Sequence, residues 1–154
     1  MKKLILSVVM LTISSFALAQ NFNQKPKSVT FQVAPSVFSY QNNVVMGYQI
    51  GMNVKEKFNL SFYAMRDYDF SDSIKDFGWR GLTASYMLNL TDYVDFGPVV
   101  RIGMTNENFE KPYFGAEVRY ALSEKLKLSF EYGQASGETS AHTGYGMKLI
   151  WNMY

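Results

Sequence analysis

Beyond residue 28, apolar residues recur at every second position with few breaks. Val44, Met46, Tyr48, Ile50, Met52 and Val54 form one run, and Phe58, Leu60, Phe62 and Ala64 the next. Leu82, Ala84, Tyr86, Leu88 and Leu90 make a further one. The pattern repeats through Val94–Met104, Phe114–Leu122, Leu126–Tyr132 and Tyr145–Met153. A first, less regular segment has Val29, Phe31, Val33, Pro35 and Val37, then shifts phase to Phe38 and Tyr40. A period of two sends alternate side chains to opposite faces of a strand, so the chain reads as eight strands. That much strand is excessive for an ordinary globular domain but is what a closed barrel requires.

The connections alternate between tight and loose. Val54-Lys55-Glu56-Lys57-Phe58, Leu90-Thr91-Asp92-Tyr93-Val94 and Leu122-Ser123-Glu124-Lys125-Leu126 share one form. In each, three mostly polar residues with a central acid separate two apolar ones, which keeps the apolar parity across the turn. The other connections, near 39–43, 66–79, 105–113 and 133–143, are longer. The fold expected is therefore all-β: an eight-stranded antiparallel up-and-down transmembrane β-barrel built from four hairpins. Proline cannot donate to a β-ladder, so Pro35 and Pro98 are expected at local bulges, Pro35 where the first strand changes phase.

Alternation alone does not say which face is outside. The apolar face carries no charged, amide or hydroxyl side chain except tyrosine. The other face carries Gly47, Gly51, Gly81, Gly97, Gly103, Gly115, Gly133, Gly144 and Gly146, nine of the 11 glycines, with most strand charges. The lumen of an eight-stranded barrel is only wide enough for side chains to fill. Small and polar residues fit inside it, and bulky apolar ones then face lipid. The alternative is a secreted, lipocalin-like barrel with the faces exchanged.

Residues 1–19 read as a cleaved signal peptide: Lys2 and Lys3, an apolar run from Leu4 to Phe16, then Ala17-Leu18-Ala19. Residues 20–28 would form a short periplasmic N-terminal tail and 29–154 the barrel domain. Removing Lys2 and Lys3 leaves 13 basic against 13 acidic residues, and their interspersion gives no footprint for nucleic acid. A near-zero mean hydropathy does not count against membrane insertion, because alternation cancels in the average. Without cysteine and with one histidine, disulfide, thiolate and multi-histidine metal chemistry are excluded.

The leader, the four hairpins with alternating short turns and longer loops, and the terminal aromatic Tyr154 resemble small outer-membrane β-barrel proteins, the OmpA/OmpX-type eight-stranded barrel domain. Tyr154 stands one residue out of phase with Tyr145, Met147, Leu149, Trp151 and Met153, a departure from the family's terminal signal. The resemblance implies a Gram-negative outer-membrane location, with outer-membrane lipid, lipopolysaccharide and the barrel-assembly machinery as partners. It implies no cofactor and no catalytic or metal site. A structural or adhesive surface role is expected, with a narrow channel or a lipid A-modifying enzyme as the alternatives. Glu138, Ser140 and His142 are a serine–histidine–acid set, but lipid A deacylases place the serine two residues after the histidine, on the lipid side. Asp72-Ser73 has a counterpart in lipid A palmitoyltransferases, whose first-loop histidine is missing here.

Two groups of site residues remain. The lumen parity carries Asp95, Arg101, Glu117, Arg119, Lys127, Glu131 and Lys148. Counting outward from Glu124 sets Glu117 opposite Glu131, with Arg119 diagonal to Glu131. Pairing Met104 with Phe114 would bring Arg101 opposite Glu117, and Lys148 would partner Glu131. The expectation is a charge network of Arg101, Glu117, Arg119, Glu131 and Lys148 that plugs the lumen. The second group, Asp67, Asp69, Asp72 and Asp76, lies with four aromatics in the longest loop, where it would meet a surface partner or simply solvent; the spacing fits no calcium loop.

Overall fold

The computed structural model describes residues 28–40, 43–67, 78–104, 109–136 and 141–153. The leader, all of the tail except Ser28, Asp69, Asp72, Asp76, Glu138, Ser140 and Tyr154 lie outside the described residues. Alternation becomes strand throughout. The elements are β1 (Val29–Tyr40), β2 (Asn43–Val54), β3 (Phe58–Asp67), β4 (Gly78–Tyr86), β5 (Leu88–Asn89), β6 (Val94–Met104), β7 (Phe109–Ala121), β8 (Leu126–Ser136) and β9 (Ala141–Met153). Consecutive strands pair antiparallel except β4 and β5, which both pair with β6, and β1 pairs with β9. The sheet is thus a closed barrel without a free edge. β4 and β5 are two pieces of one strand, which makes eight.

The short turns use different chemistry. Lys55 and Glu56 both adopt positive φ, 52° and 59°, and the Lys57 amide donates to the Val54 carbonyl at 3.1 Å. That mirror-image turn matches the twist of the flanking strands, at some strain for non-glycine residues. In the other two, a hydroxyl caps the bend. Thr91 Oγ1 accepts from the Tyr93 and Val94 amides, and Ser123 Oγ from those of Lys125 and Leu126. Leu122, expected on the outer face, is buried as the chain enters its turn.

Several local expectations are corrected. β1 keeps one register with β2 from Val29↔Val54 to Tyr40↔Asn43, so there is no bulge at Pro35. Proline instead leaves a gap in the ladder to β9, between Val33↔Trp151 and Ser36↔Lys148, because it has no N–H to donate. There is accordingly no phase change, and Phe38 points into the lumen. Pro98 acts the same way. The register running through Ser85↔Val99 and Leu88↔Phe96 sets it opposite Tyr86, where the strand divides into β4 and β5. On its other side it pairs with Ala116 without a shift. The true bulge is elsewhere: between Arg101↔Tyr113 and Gly103↔Glu110, β7 carries one extra residue beside Pro112. The hairpins also reach further than expected, with β4 beginning at Gly78, β7 at Phe109 and β9 at Ala141.

The polarity is inverted relative to a water-soluble barrel. Phe31, Tyr48, Ile50, Phe62, Leu82, Phe114, Phe130, Tyr132, Tyr145 and Trp151 are exposed on the outer wall. Thr30, Gln32, Gln49, Asn53, Asn59, Ser61, Thr83, Ser85 and Ser129 are buried in the lumen together with the charges.

Candidate functional site: the lumen

Period-two alternation delivers the charged side chains inward from four consecutive strands. Arg101 comes from β6, Glu117 and Arg119 from β7, Glu131 from β8 and Lys148 from β9. All five are buried, none more than 5% exposed. Glu117 and Glu131 do face each other in register. Cations separate them. Arg101 grips Glu131 with two hydrogen bonds, Nε to Oε1 and Nη2 to Oε2, each 2.6 Å. Arg119 Nε donates to Glu117 Oε1 at 2.7 Å, and Ser129 Oγ donates to the same oxygen at 2.6 Å. Lys148 Nζ bridges the two acids, 2.9 Å from Glu117 and 3.5 Å from Glu131.

The pairing differs from simple register counting. Met104 pairs with Phe109 and Arg101 lies opposite Tyr113, because β6 and β7 run on into the expected loop and the bulge takes up only one residue of the difference. Arg101 therefore passes over β7 to reach Glu131, while Arg119 binds Glu117 on its own strand instead of its diagonal neighbour Glu131. Spare donors are taken up by Thr83, which accepts from Arg101 at 3.0 Å, and by Ser85, which accepts from Arg119 at 2.9 Å. With its amide oxygen turned inward, Gln49 also accepts from Arg101, at 3.0 and 3.2 Å. A separate pair lies nearer the short turns: Lys127 Nζ is 2.9 Å from Asp95, which also accepts from Asn89 at 2.8 Å.

Toward the long loops, the lumen is filled by a layer that the sequence reading missed. Phe38, Tyr63, Trp79 and Tyr113 pack with Val45, Met65, Val99 and Ala135 as the buried apolar cluster. Their rings meet edge-on or tilted, at centroid distances from 5.0 Å (Tyr63–Trp79) to 6.4 Å (Trp79–Tyr113). Tyr113 Oη donates to the Gly144 carbonyl at 3.2 Å. The Arg101 guanidinium lies 5.0 Å from the Phe38 ring centre, 5.1 Å from Tyr63 and 5.8 Å from Trp79. Glycines make this layer fit. A Cβ at Gly144 would meet Phe38 Cε1 at 2.7 Å, and one at Gly133 would meet Tyr113 Cζ at 2.7 Å. The sequence signal was the shared parity of Tyr63 and Met65 with Asn59 and Ser61, read together with glycines on the opposing strands.

Chemically, the site is a set of fixed charges, three cations interlocked with two carboxylates, beside an aromatic layer. Every carboxylate oxygen pair is met by a guanidinium, ammonium or hydroxyl, so neither acid is free to act as a base. His142 lies in β9 opposite Ala135, not in a loop as expected. Of the aspartate group, Asp67 ends β3. Among the described residues, no cluster of three or more histidines or acids could hold a metal ion.

No protein-family model matches the sequence, and no curated protein matches it. Solved structures do match in fold. A de novo designed transmembrane β-barrel aligns with TM-score 0.62 and 16% identity, over 84% of this chain and all of that one. The N-terminal β-barrel domain of Pseudomonas aeruginosa OprF aligns with TM-score 0.58 and 14% identity, over 82% of this chain and 98% of its own. Ail, the attachment invasion locus protein of Yersinia pestis, aligns with TM-score 0.53 and 13% identity, over 82% of this chain and 97% of its own. At these identities the likeness is one of fold: this chain folds as the eight-stranded outer-membrane barrels do.

Proposed function

We propose that the protein is an integral outer-membrane barrel, non-enzymatic and non-conducting, that holds its long loops at the cell surface in a structural or adhesive role. The observation that carries this reading is the pairing of an apolar outer wall with a lumen closed by buried charge. A wall of exposed Phe, Tyr, Leu and Ile is stable in lipid and not in water. A layer of five interlocked charges beneath four packed rings supports a lumen that does not conduct freely. The fold shared with OprF and Ail supports the location, and the name of the Ail protein, attachment invasion locus, suits a surface role for the loops. The aspartate-rich connection after β3 is the segment we assign to contact with a surface partner.

Two measurements test this. Cells expressing the chain should yield it in the outer-membrane fraction, with heat-dependent gel migration; a soluble protein without that shift would end the membrane reading. In planar bilayers the wild type should conduct little, and Glu131→Ala should raise ion flux as water replaces the lost side chain. Large, steady wild-type conductance, indifferent to these residues, would establish the narrow channel instead.

A further inference from the structure

The outer wall has a charge asymmetry that the lumen does not explain. Among the described side chains, only Arg66 of β3 and Arg80 of β4 are charged at outward strand positions, and both are exposed. They sit on adjacent strands at the long-loop rim. Ala64 pairs with Arg80 and Arg66 with Gly78, so the two arginines are diagonal neighbours, about 7–8 Å apart. Among the described residues neither has an ion-pair partner. The opposite rim differs: its turns mix signs, with Lys55, Glu56, Lys57, Asp92, Glu124 and Lys125.

Below the two arginines the wall is apolar, and it dips at Ala64. This small residue lies between Tyr48 on β2 and Arg80 on β4, with Phe62 and Leu82 paired beneath it. Two guanidinium groups over a shallow apolar furrow match one kind of occupant: an amphiphile with a phosphate headgroup and acyl chains. Guanidinium binds phosphate through paired, charge-assisted hydrogen bonds, and basic residues at a membrane surface retain anionic lipid. We propose that Arg66 and Arg80 form a headgroup site for a phosphorylated lipid of the loop-side leaflet, its acyl chain lying along Ala64. This rests on the membrane reading above.

The test uses the full barrel, refolded in neutral detergent, with lipid retention read by native mass spectrometry. Lipid A and its dephosphorylated form are the probes. Each arginine near an anionic surface contributes about fivefold, so R66Q/R80Q should weaken retention of lipid A roughly twentyfold. Retention of the dephosphorylated form should be weak and unchanged by the substitutions. K55Q/K57Q, on the opposite rim, should behave as wild type. Equal retention of both lipids, equal loss in the two double variants, or displacement of lipid A by equimolar inorganic phosphate would each overturn the site. So would lipid binding that rises when Asp69, Asp72 and Asp76 are changed to Asn and no longer depends on the arginines. Heat-dependent gel migration of the same samples separates the two failures: a folded barrel without phosphate preference refutes this site alone, whereas a chain that never inserts refutes the membrane reading.

Discussion

Glu131→Gln removes one charge and almost no volume, which isolates the electrostatic role of the lumen. Glu131 accepts both Nε and Nη2 of Arg101 at 2.6 Å and takes a longer contact from Lys148 at 3.5 Å. The Arg101 and Glu131 side chains are 1% and 2% exposed, so solvent does not screen the pair. Removing one member of a buried pair costs about 3–5 kcal/mol, because the surviving charge is left in a poor solvent. Some compensation is built in. Thr83 still accepts from Arg101, and three aromatic faces surround its guanidinium, each worth about 0.5–2 kcal/mol. Lys148 keeps its 2.9 Å contact with Glu117. The expected net loss is therefore near the lower end, about 3 kcal/mol. Equilibrium unfolding in urea from lipid vesicles measures it, with Trp79 emission as the probe because its ring lies against Arg101. The midpoint should fall with little change in slope. Adding Arg101→Gln should cost less than the sum of the singles by about 2 kcal/mol, the signature of direct coupling. A loss below about 1 kcal/mol, or strict additivity, would mean that Arg101 finds water and that the lumen is not sealed by this pair.

Three further outcomes follow from the wall, the aromatic layer and the ladder. Val100→Arg, midway along β6, should destabilise the barrel in vesicles by about 2–4 kcal/mol, whereas Leu88→Arg, beside a short turn, should cost only about 0–1 kcal/mol. Equal costs would refute the assigned depth. Gly146→Leu forces a side chain into the Phe38 ring and should cost about 1–3 kcal/mol, and Phe38→Ala in the same chain should return part of that loss if the two share one volume. Pro98→Ala restores a donor opposite Tyr86 and should gain about 0.5–1.5 kcal/mol, with a new slowly exchanging amide at position 98 in hydrogen exchange; a fast amide there would show that the break after Tyr86 has another cause.

The strands and the inverted polarity were legible because both depend on parity alone. Each residue from Val44 to Val54 or from Val94 to Met104 declares its face without reference to any partner. The short turns were legible too, since Thr91 and Ser123 act within three residues. The register counted across the short turn at Glu124 held, with Glu117 opposite Glu131, and what failed was the register across the longer β6–β7 connection. Strand hides inside what read as a loop: β6 and β7 pair on to Met104↔Phe109, and this extension, less the one residue taken up by the bulge beside Pro112, sets Arg101 opposite Tyr113 and not Glu117. Phe38 was misplaced for a related reason. A phenylalanine on the lumen parity looks like a phase error until Gly144 and Gly146 are set beside it, and those lie more than a hundred residues away.

The two things sequence reading missed are physically one. Seven charges share the lumen parity, four positive and three negative. The structure removes Asp95 and Lys127 as a separate pair, which leaves Arg101, Arg119 and Lys148 against Glu117 and Glu131. One buried positive charge is in excess, a state that burial alone would penalise heavily. The guanidinium nearest the long loops is the one met by the faces of Phe38, Tyr63 and Trp79, whose quadrupoles attract a cation most strongly where water is absent. The aromatic cap thus supplies electron density that a third carboxylate would otherwise provide, and it fills space that a carboxylate would leave wet. Rings stacked against the excess cation offset part of its burial cost, and they need the facing glycines to fit there.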